Sequence, residues 1–236
     1  MLVLLDIDGT LLKTHGAGLA AMQATAEELH PGRTFSFDGI SISGRLDSLI
    51  WRDLMASGGI DHARTDHGAF RARYGVHLGR VLDAAGRSQP LAGAHALVER
   101  LAAIEGIALG LLTGNYEHTG RLKVERAGFD LSAFEFNAWA DDGEHRRDLP
   151  PKAMGRHAAT RGPIKPADVI IVGDTPLDID CARANGCQVV AVATGAHPRE
   201  ELAGHTPDLL LDDLRDTDSI ALWMTSRKRP LADPAR

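Results

Sequence analysis

Cysteine is nearly missing from this chain: 236 residues hold two, Cys181 and Cys187. Two thiols six positions apart supply neither a disulfide framework nor a thiolate zinc site, and read as small buried residues of a reducing compartment. Long apolar runs are also missing, since nothing approaches the roughly 20 residues a membrane-spanning helix needs. The opening Met1-Leu2-Val3-Leu4-Leu5 runs straight into Asp6 without a basic segment or a small-residue cleavage site, so it reads as a strand and not a signal peptide. Nor is there an excess of positive charge. The chain carries 26 basic against 32 acidic residues, a formal charge of −6 and a pI near 6.0. That balance leaves no broad footprint for nucleic acid or an anionic membrane. The expectation is a cytoplasmic protein that binds neither.

What is present is ordinary globular material, 44% hydrophobic and 25% charged, in a length that suits one α/β domain with a sizeable insertion. Short apolar runs end in polar residues or glycine at Leu2–Leu5, Ile107–Leu112, Val169–Val172, Val189–Val192 and Leu209–Leu211. Helical patterns lie between them at Ala92–Ile104, Glu117–Ala127, Pro151–Thr160 and Pro176–Asn185. Near-continuous apolar strands alternating with helices predict a Rossmann-like parallel sheet covered by helices on both faces. From about His15 to Arg87 the alternation breaks. Helical patterns at Gly18–Leu29, Asp47–Ala56, Ala63–Tyr74 and Val76–Ala85, with one weak strand candidate at Thr34–Ile42, read as an inserted, mostly helical cap. The division is a core of residues 1–14 and 88–236 and a cap of residues 15–87. The last ten residues, Arg227–Arg236, are expected to fray.

Chemistry concentrates at the carboxyl ends of the strands, where such sheets bind ligands. Asp6-Ile7-Asp8-Gly9-Thr10 follows the first strand. Two aspartates two positions apart point the same way, and their repulsion calls for a cation, a proton or a nearby base. At the tip of the second core strand, Thr113-Gly114-Asn115 offers a hydroxyl and backbone amides near a helix start, a cradle for a phosphate oxygen. A third tip, Gly173-Asp174-Thr175-Pro176-Leu177-Asp178, places Asp174 at the turn and Asp178 four residues on, facing back. Hard oxygen donors beside an anion cradle suit magnesium-dependent phosphoryl transfer.

In that order and spacing the three tips resemble the haloacid dehalogenase superfamily of phosphohydrolases, over nearly the whole chain. The resemblance implies that Asp6 is the nucleophile that becomes an aspartyl phosphate. Asp8 would be the acid and base, which marks the phosphatase and phosphomutase branches. Mg²⁺ would be held by Asp6, the Asp8 backbone carbonyl and Asp174, with Asp178 supporting the metal or a basic residue. Thr113, Gly114 and Asn115 would bind the transferring phosphoryl. The basic residue of the family falls in Arg146-Arg147-Asp148-Leu149-Pro150-Pro151-Lys152; aligned on the proline it is Arg147, with Lys152 and Arg146 as alternatives. Cap residue Arg45, in Gly44-Arg45-Leu46-Asp47-Ser48-Leu49, would read the part of the substrate that does not react. The expected partner is a small phosphorylated metabolite, phosphoglycolate first among candidates. A sugar phosphomutase of β-phosphoglucomutase type is the alternative, and a non-catalytic phosphate-binding protein a further one.

Two patterns are set aside. Gly16-Ala17-Gly18-Leu19-Ala20-Ala21 satisfies a loose dinucleotide fingerprint, but it starts after the strand tip is already occupied. His62, His67 and His77 lack the spacing that puts two ligands on one helical face.

Overall fold

The structure is a computed structural model that describes residues 1–85 and 88–226. Both the tail expected over Arg227–Arg236 and the end of the expected cap at residues 86–87 lie outside the described residues. Among these residues a five-stranded sheet forms from β1 (Leu2–Leu5), β4 (Ala108–Leu111), β5 (Val169–Gly173), β6 (Gln188–Val192) and β7 (Leu209–Leu211). Its order is β4-β1-β5-β6-β7, parallel throughout. A two-stranded antiparallel ribbon, β2 (Leu12–Lys13) with β3 (Gln89–Pro90), pairs the chain entering the insertion with the chain leaving it.

The strands read as unbroken apolar runs because both faces of the sheet are buried. Leu2 and Leu4 of β1 enter one core cluster, and Val3 and Leu5 the other. In β5, Val169 and Ile171 part from Ile170 and Val172 in the same way. Period-two alternation divides each strand between two cores, and each core needs its own helical layer. On one face lie α6 (Leu149–Arg161), α7 (Pro176–Ala184) and α8 (Arg199–Gly204); on the other, α4 (Ala94–Ala102), α5 (Glu117–Arg126) and α9 (Thr217–Ser226). No helix among the described residues is long and apolar enough to cross a membrane.

The insertion between the ribbon strands holds α1 (Ala17–Leu29), α2 (Asp47–Ser57) and α3 (His67–Ala85). The sequence suggests two helices across 63–85, yet α3 is continuous from His67. Phe70, Tyr74, Leu78 and Leu82 recur every four residues and are all buried, so one apolar stripe carries through. Thr34–Ile42 forms no strand: Phe35 and Phe37 pack onto the helices, and no neighbouring strand takes its backbone groups.

The chain order reverses around β1, which has β4 on one side and β5 on the other. A sheet of this type opens its binding crevice at such a switch point. The loops after β1, β4 and β5 all end there.

Candidate active site

Asp6 continues β1 for one more hydrogen bond, its amide donating to the Val172 carbonyl of β5 at 2.9 Å. Gly9 then turns the chain with φ +85°, and a β-carbon there would lie 2.3 Å from Asp174 Oδ2. Glycine therefore supplies both the left-handed conformation and the room for Asp174. Thr10 Oγ1 donates to Asp174 Oδ1 at 3.0 Å and fixes that carboxylate against the turn.

Asp6, Asp174 and Asp178 bring one oxygen each to within 4.8 Å of one another, all three buried. Burial, more than any other cause, pushes Asp6 up to about 6; Arg146 pulls it down while Asp178 and Asp8 push it further. Asp174 is raised well above the ordinary carboxylate range, first by burial and then by Asp6 and Asp178. Three crowded carboxylates deprived of water are a hard-oxygen pocket that a divalent cation relieves, and the donor set fits magnesium. Asp178 is the least available of the three. Its Oδ1 accepts from Arg146 Nη2 at 2.5 Å, and its Oδ2 accepts from Thr175 N at 3.0 Å and Thr175 Oγ1 at 2.7 Å. The Thr175 N bond, together with Asp178 N donating to Thr175 Oγ1 at 3.3 Å, is the capping box that starts α7.

Arg146 takes the basic position beside Asp6. Its Nη2 lies 3.3 Å from Asp6 Oδ1, and its Nη1 donates to the Gly44 carbonyl of the insertion at 2.9 Å. Burial works against its charge, but Asp178 and Asp6 outweigh burial and hold the guanidinium protonated. Arg147, the residue that alignment on the proline selects, points outward and forms a bidentate pair with Asp180 of α7. Residues 146–148 form a single 3₁₀ turn, in which neighbours diverge by about 120°. Only one of two adjacent arginines can face the site. Lys152 is exposed on α6.

Asp8 lines the same cavity as Asp6 while Ile7 between them is buried in the core, as period-two geometry requires. Asp8 Oδ2 accepts from Asn115 Nδ2 at 2.8 Å and from Lys123 Nζ at 2.7 Å; Oδ1 accepts from Thr14 Oγ1 at 3.4 Å. Asn115 also donates from Nδ2 to Thr113 Oγ1 at 2.8 Å and accepts at Oδ1 from Lys123 at 2.6 Å. One amide thus ties the tip of β4 to the loop of β1.

Two polar residues of this network are not assigned to the site by motif reading. Lys123 sits eight residues beyond Asn115, so two turns of α5 bring it back over the same spot; that periodicity is its only signal. Asp47 opens α2 and docks the insertion on the β4 tip. Its amide donates to the Gly114 carbonyl at 2.6 Å, and its Oδ2 accepts from Tyr116 N at 3.0 Å. Burial pushes Asp47 up to about 7, although Lys123 and the Tyr116 amide pull the other way. Gly114 permits the docking, because a β-carbon there would stand 2.0 Å from the Arg45 carbonyl. Arg45 borders the cavity, but its Nη1 donates to Asp53 Oδ2 at 2.7 Å and to the Ser41 carbonyl at 2.9 Å. Of the three histidines, His67 stacks on Trp51 and meets the Tyr116 hydroxyl at 2.8 Å, while His77 meets Glu28 at 2.6 Å. None of the three joins the acidic cluster.

Five strands in this order, with aspartates at the tips of β1 and β5 and a hydroxyl at that of β4, define a Rossmann-like α/β core with its polar groups gathered at the switch point. Comparison with known proteins agrees. The HAD-hydrolase-like family model matches residues 149–217. The chain is 27% identical over 227 residues to a pyrophosphatase PpaX of Anoxybacillus flavithermus, covering 95% of this chain and 98% of that one. It is 25% identical over 219 residues to a phosphoglycolate phosphatase of Pseudomonas putida, covering 91% and 77%. A crystal structure of β-phosphoglucomutase from Clostridium difficile shares the fold, with a TM-score of 0.66 at 18% identity over 95% of this chain and 96% of that one. The chain is thus similar to haloacid dehalogenase-like hydrolases, over residues 149–217 by the family model and over at least nine-tenths of its length in these relatives.

Proposed function

We propose that this protein is a magnesium-dependent phosphatase that hydrolyses a small phosphomonoester through an aspartyl phosphate on Asp6. The observation that carries this reading is the division of labour between two aspartates on one loop. Asp6 is buried against Arg146 and Asp174, whereas Asp8 faces the cavity with a side chain 39% exposed. Two carboxylates held in different environments can take different roles.

An oxygen of Asp6 attacks phosphorus and forms a carboxyl–phosphate bond as the ester oxygen departs. Asp8, in its protonated form, gives its proton to that oxygen, and the alcohol leaves neutral. Asp8 then accepts a proton from water, whose oxygen attacks the phosphorus; inorganic phosphate and the Asp6 carboxylate are released. Thr113 Oγ1 already accepts from Asn115, which turns its own proton toward the phosphoryl oxygens. Arg146 sits where it can bridge a carboxylate oxygen of Asp6 and the incoming phosphoryl. Asp6, Asp174 and the Asp8 carbonyl would hold the magnesium, which when bound offsets negative charge on the nucleophile and phosphoryl oxygens. The helical insertion of residues 15–87 would act as the cap, closing over the substrate and excluding water during the first step.

The cavity beneath it measures about 230 Å³, below the roughly 300–1,000 Å³ of drug-sized sites, which supports a small metabolite. The mutase reading needs a cation for a second phosphate, and Arg45 is occupied by Asp53. The test is hydrolysis of para-nitrophenyl phosphate with magnesium, with EDTA, and with Asp6→Asn. Turnover that requires the metal and falls by at least about 10³ in the variant is expected. Near-normal activity in Asp6→Asn would sink the mechanism. Pyrophosphate and phosphoglycolate, the substrates in the relatives' names, head the panel that follows.

A further inference from the structure

The leaving-group end of the cavity differs in character from its phosphoryl end. The insertion lines it mostly with apolar groups, Leu19 and Met22 of α1, Ile42, Ile50 of α2 and the ring of Tyr74 from α3, beside the polar Ser43, Arg45 and Asp47. Four apolar side chains and an aromatic ring thus line the insertion's side of the cavity.

Three cations line the cavity, and each already has a carboxylate within the protein. Arg146 holds Asp178 and Asp6, Lys123 holds Asp8, and Arg45 holds Asp53. Lys123 and Arg146 are nearly inaccessible, with side chains 6% and 5% exposed, so neither cation is itself presented to water. Lys123 also spends a second N–H on Asn115 and sits beside Asp47 as well as Asp8. A carboxylate or second phosphate on the substrate would enter a space with no uncommitted cation and at least one further acid. It would lose its hydration without a partner.

Resting on the phosphatase reading above, we infer that the preferred substrate is the phosphomonoester of a small, uncharged, aliphatic alcohol. The anionic leaving groups of phosphoglycolate and pyrophosphate are disfavoured. The names of the sequence relatives point the other way. The difference lies in the insertion, whose side chains and not the catalytic loops set this end of the site.

The test uses two shape-matched phosphonates that cannot be hydrolysed, 3-methylbutylphosphonate and 3-phosphonopropionate. They differ in carrying an isopropyl group or a carboxylate at the same place. Each is titrated calorimetrically into the full chain with magnesium. The branched phosphonate is expected to bind at least about tenfold more tightly, because it buries apolar surface where the other buries an unpaired charge. Equal binding, tighter binding of the carboxylate, or no binding of either overturns the inference. A companion variant, Leu19→Lys, puts a free cation on the partly exposed wall of α1 and is expected to narrow or reverse the preference. If both dissociation constants stay unchanged in a folded variant, the tail does not lie against this wall and the inference falls. The two readings fail separately. Tight binding of the branched phosphonate without turnover of any phosphomonoester removes the phosphatase and leaves the pocket assignment, whereas turnover with the reverse preference does the opposite.

Discussion

Single residues carry most of the chemistry here, and two adjacent ones make the sharpest contrast. Arg146 touches Asp6 and Asp178 from a buried position, while Arg147 spends its guanidinium on Asp180 at the surface. Steady-state kinetics are expected to show kcat/KM down by about 10²–10³ for Arg146→Ala, the order seen for loss of one buried charge-stabilising donor. Arg147→Ala is expected to stay within about twofold, since exposed pairs contribute little. A titration test belongs at the same scale. Asp47 is raised from 3.8 to about 7, mostly by burial. Between those values the native state keeps a proton that the unfolded chain has lost, so stability falls as pH rises through that window. Denaturant melts between pH 4 and 8 are expected to show this slope in the wild type and a shallower one in Asp47→Asn, which still accepts from Tyr116. The three polar tips are legible in the sequence because apolar strands end there, and at two of them little else puts paired aspartates after such a run. Which arginine faces inward is not legible, because a one-residue rotation of a short turn decides it. Lys123 and Asp47 are hidden for related reasons: Lys123 reaches the site by helical periodicity, and Asp47 through the docked start of a helix whose placement the sequence does not disclose.

Among the elements, the strands are the most legible and the insertion the least. A strand buried on both faces must be apolar at every position, so β1, β5 and β6 announce themselves. The stretch at 34–42 alternates like a strand but lacks a partner, and alternation alone cannot supply one. The N-terminus of α2 meets the β4 tip through the Asp47 amide and the Gly114 carbonyl. Gly114→Ala places a methyl on the Arg45 carbonyl and is expected to hold the two elements apart. Turnover should fall at least about tenfold, because misplacing a positioned group by about 1 Å costs on the order of 10². The measurement is kcat beside a thermal melt; lost stability with kcat intact would show that the contact supports the fold and not closure.

Taken whole, the molecule stores repulsion at one end of its sheet. Asp6 and Asp174 are both raised, so the metal-free protein holds protons that a bound cation must displace. Magnesium at about 100 times its dissociation constant is expected to add about 2.7 kcal/mol of stability, and to raise Tm by several degrees in a chain of this size. The gain should shrink as pH falls below about 6, where Asp6 is protonated. Thermal shifts at pH 5 and 7.5, with and without magnesium, check this; an equal gain at both would separate the metal from these carboxylates.

The ribbon at the base of the insertion joins Leu12 to Pro90 and Lys13 to Gln89, and the Leu91 amide donates to the Leu11 carbonyl at 2.9 Å. The two crossing points of the chain are thereby fastened to each other, beside the reactive loop and outside the main sheet. Whatever is strung between them can lengthen, shorten or be exchanged wholesale without disturbing the register of a single strand in that sheet. Under the proposed function the residues that react lie outside this span and the side chains that select lie within it, so a change in one leaves the other in place.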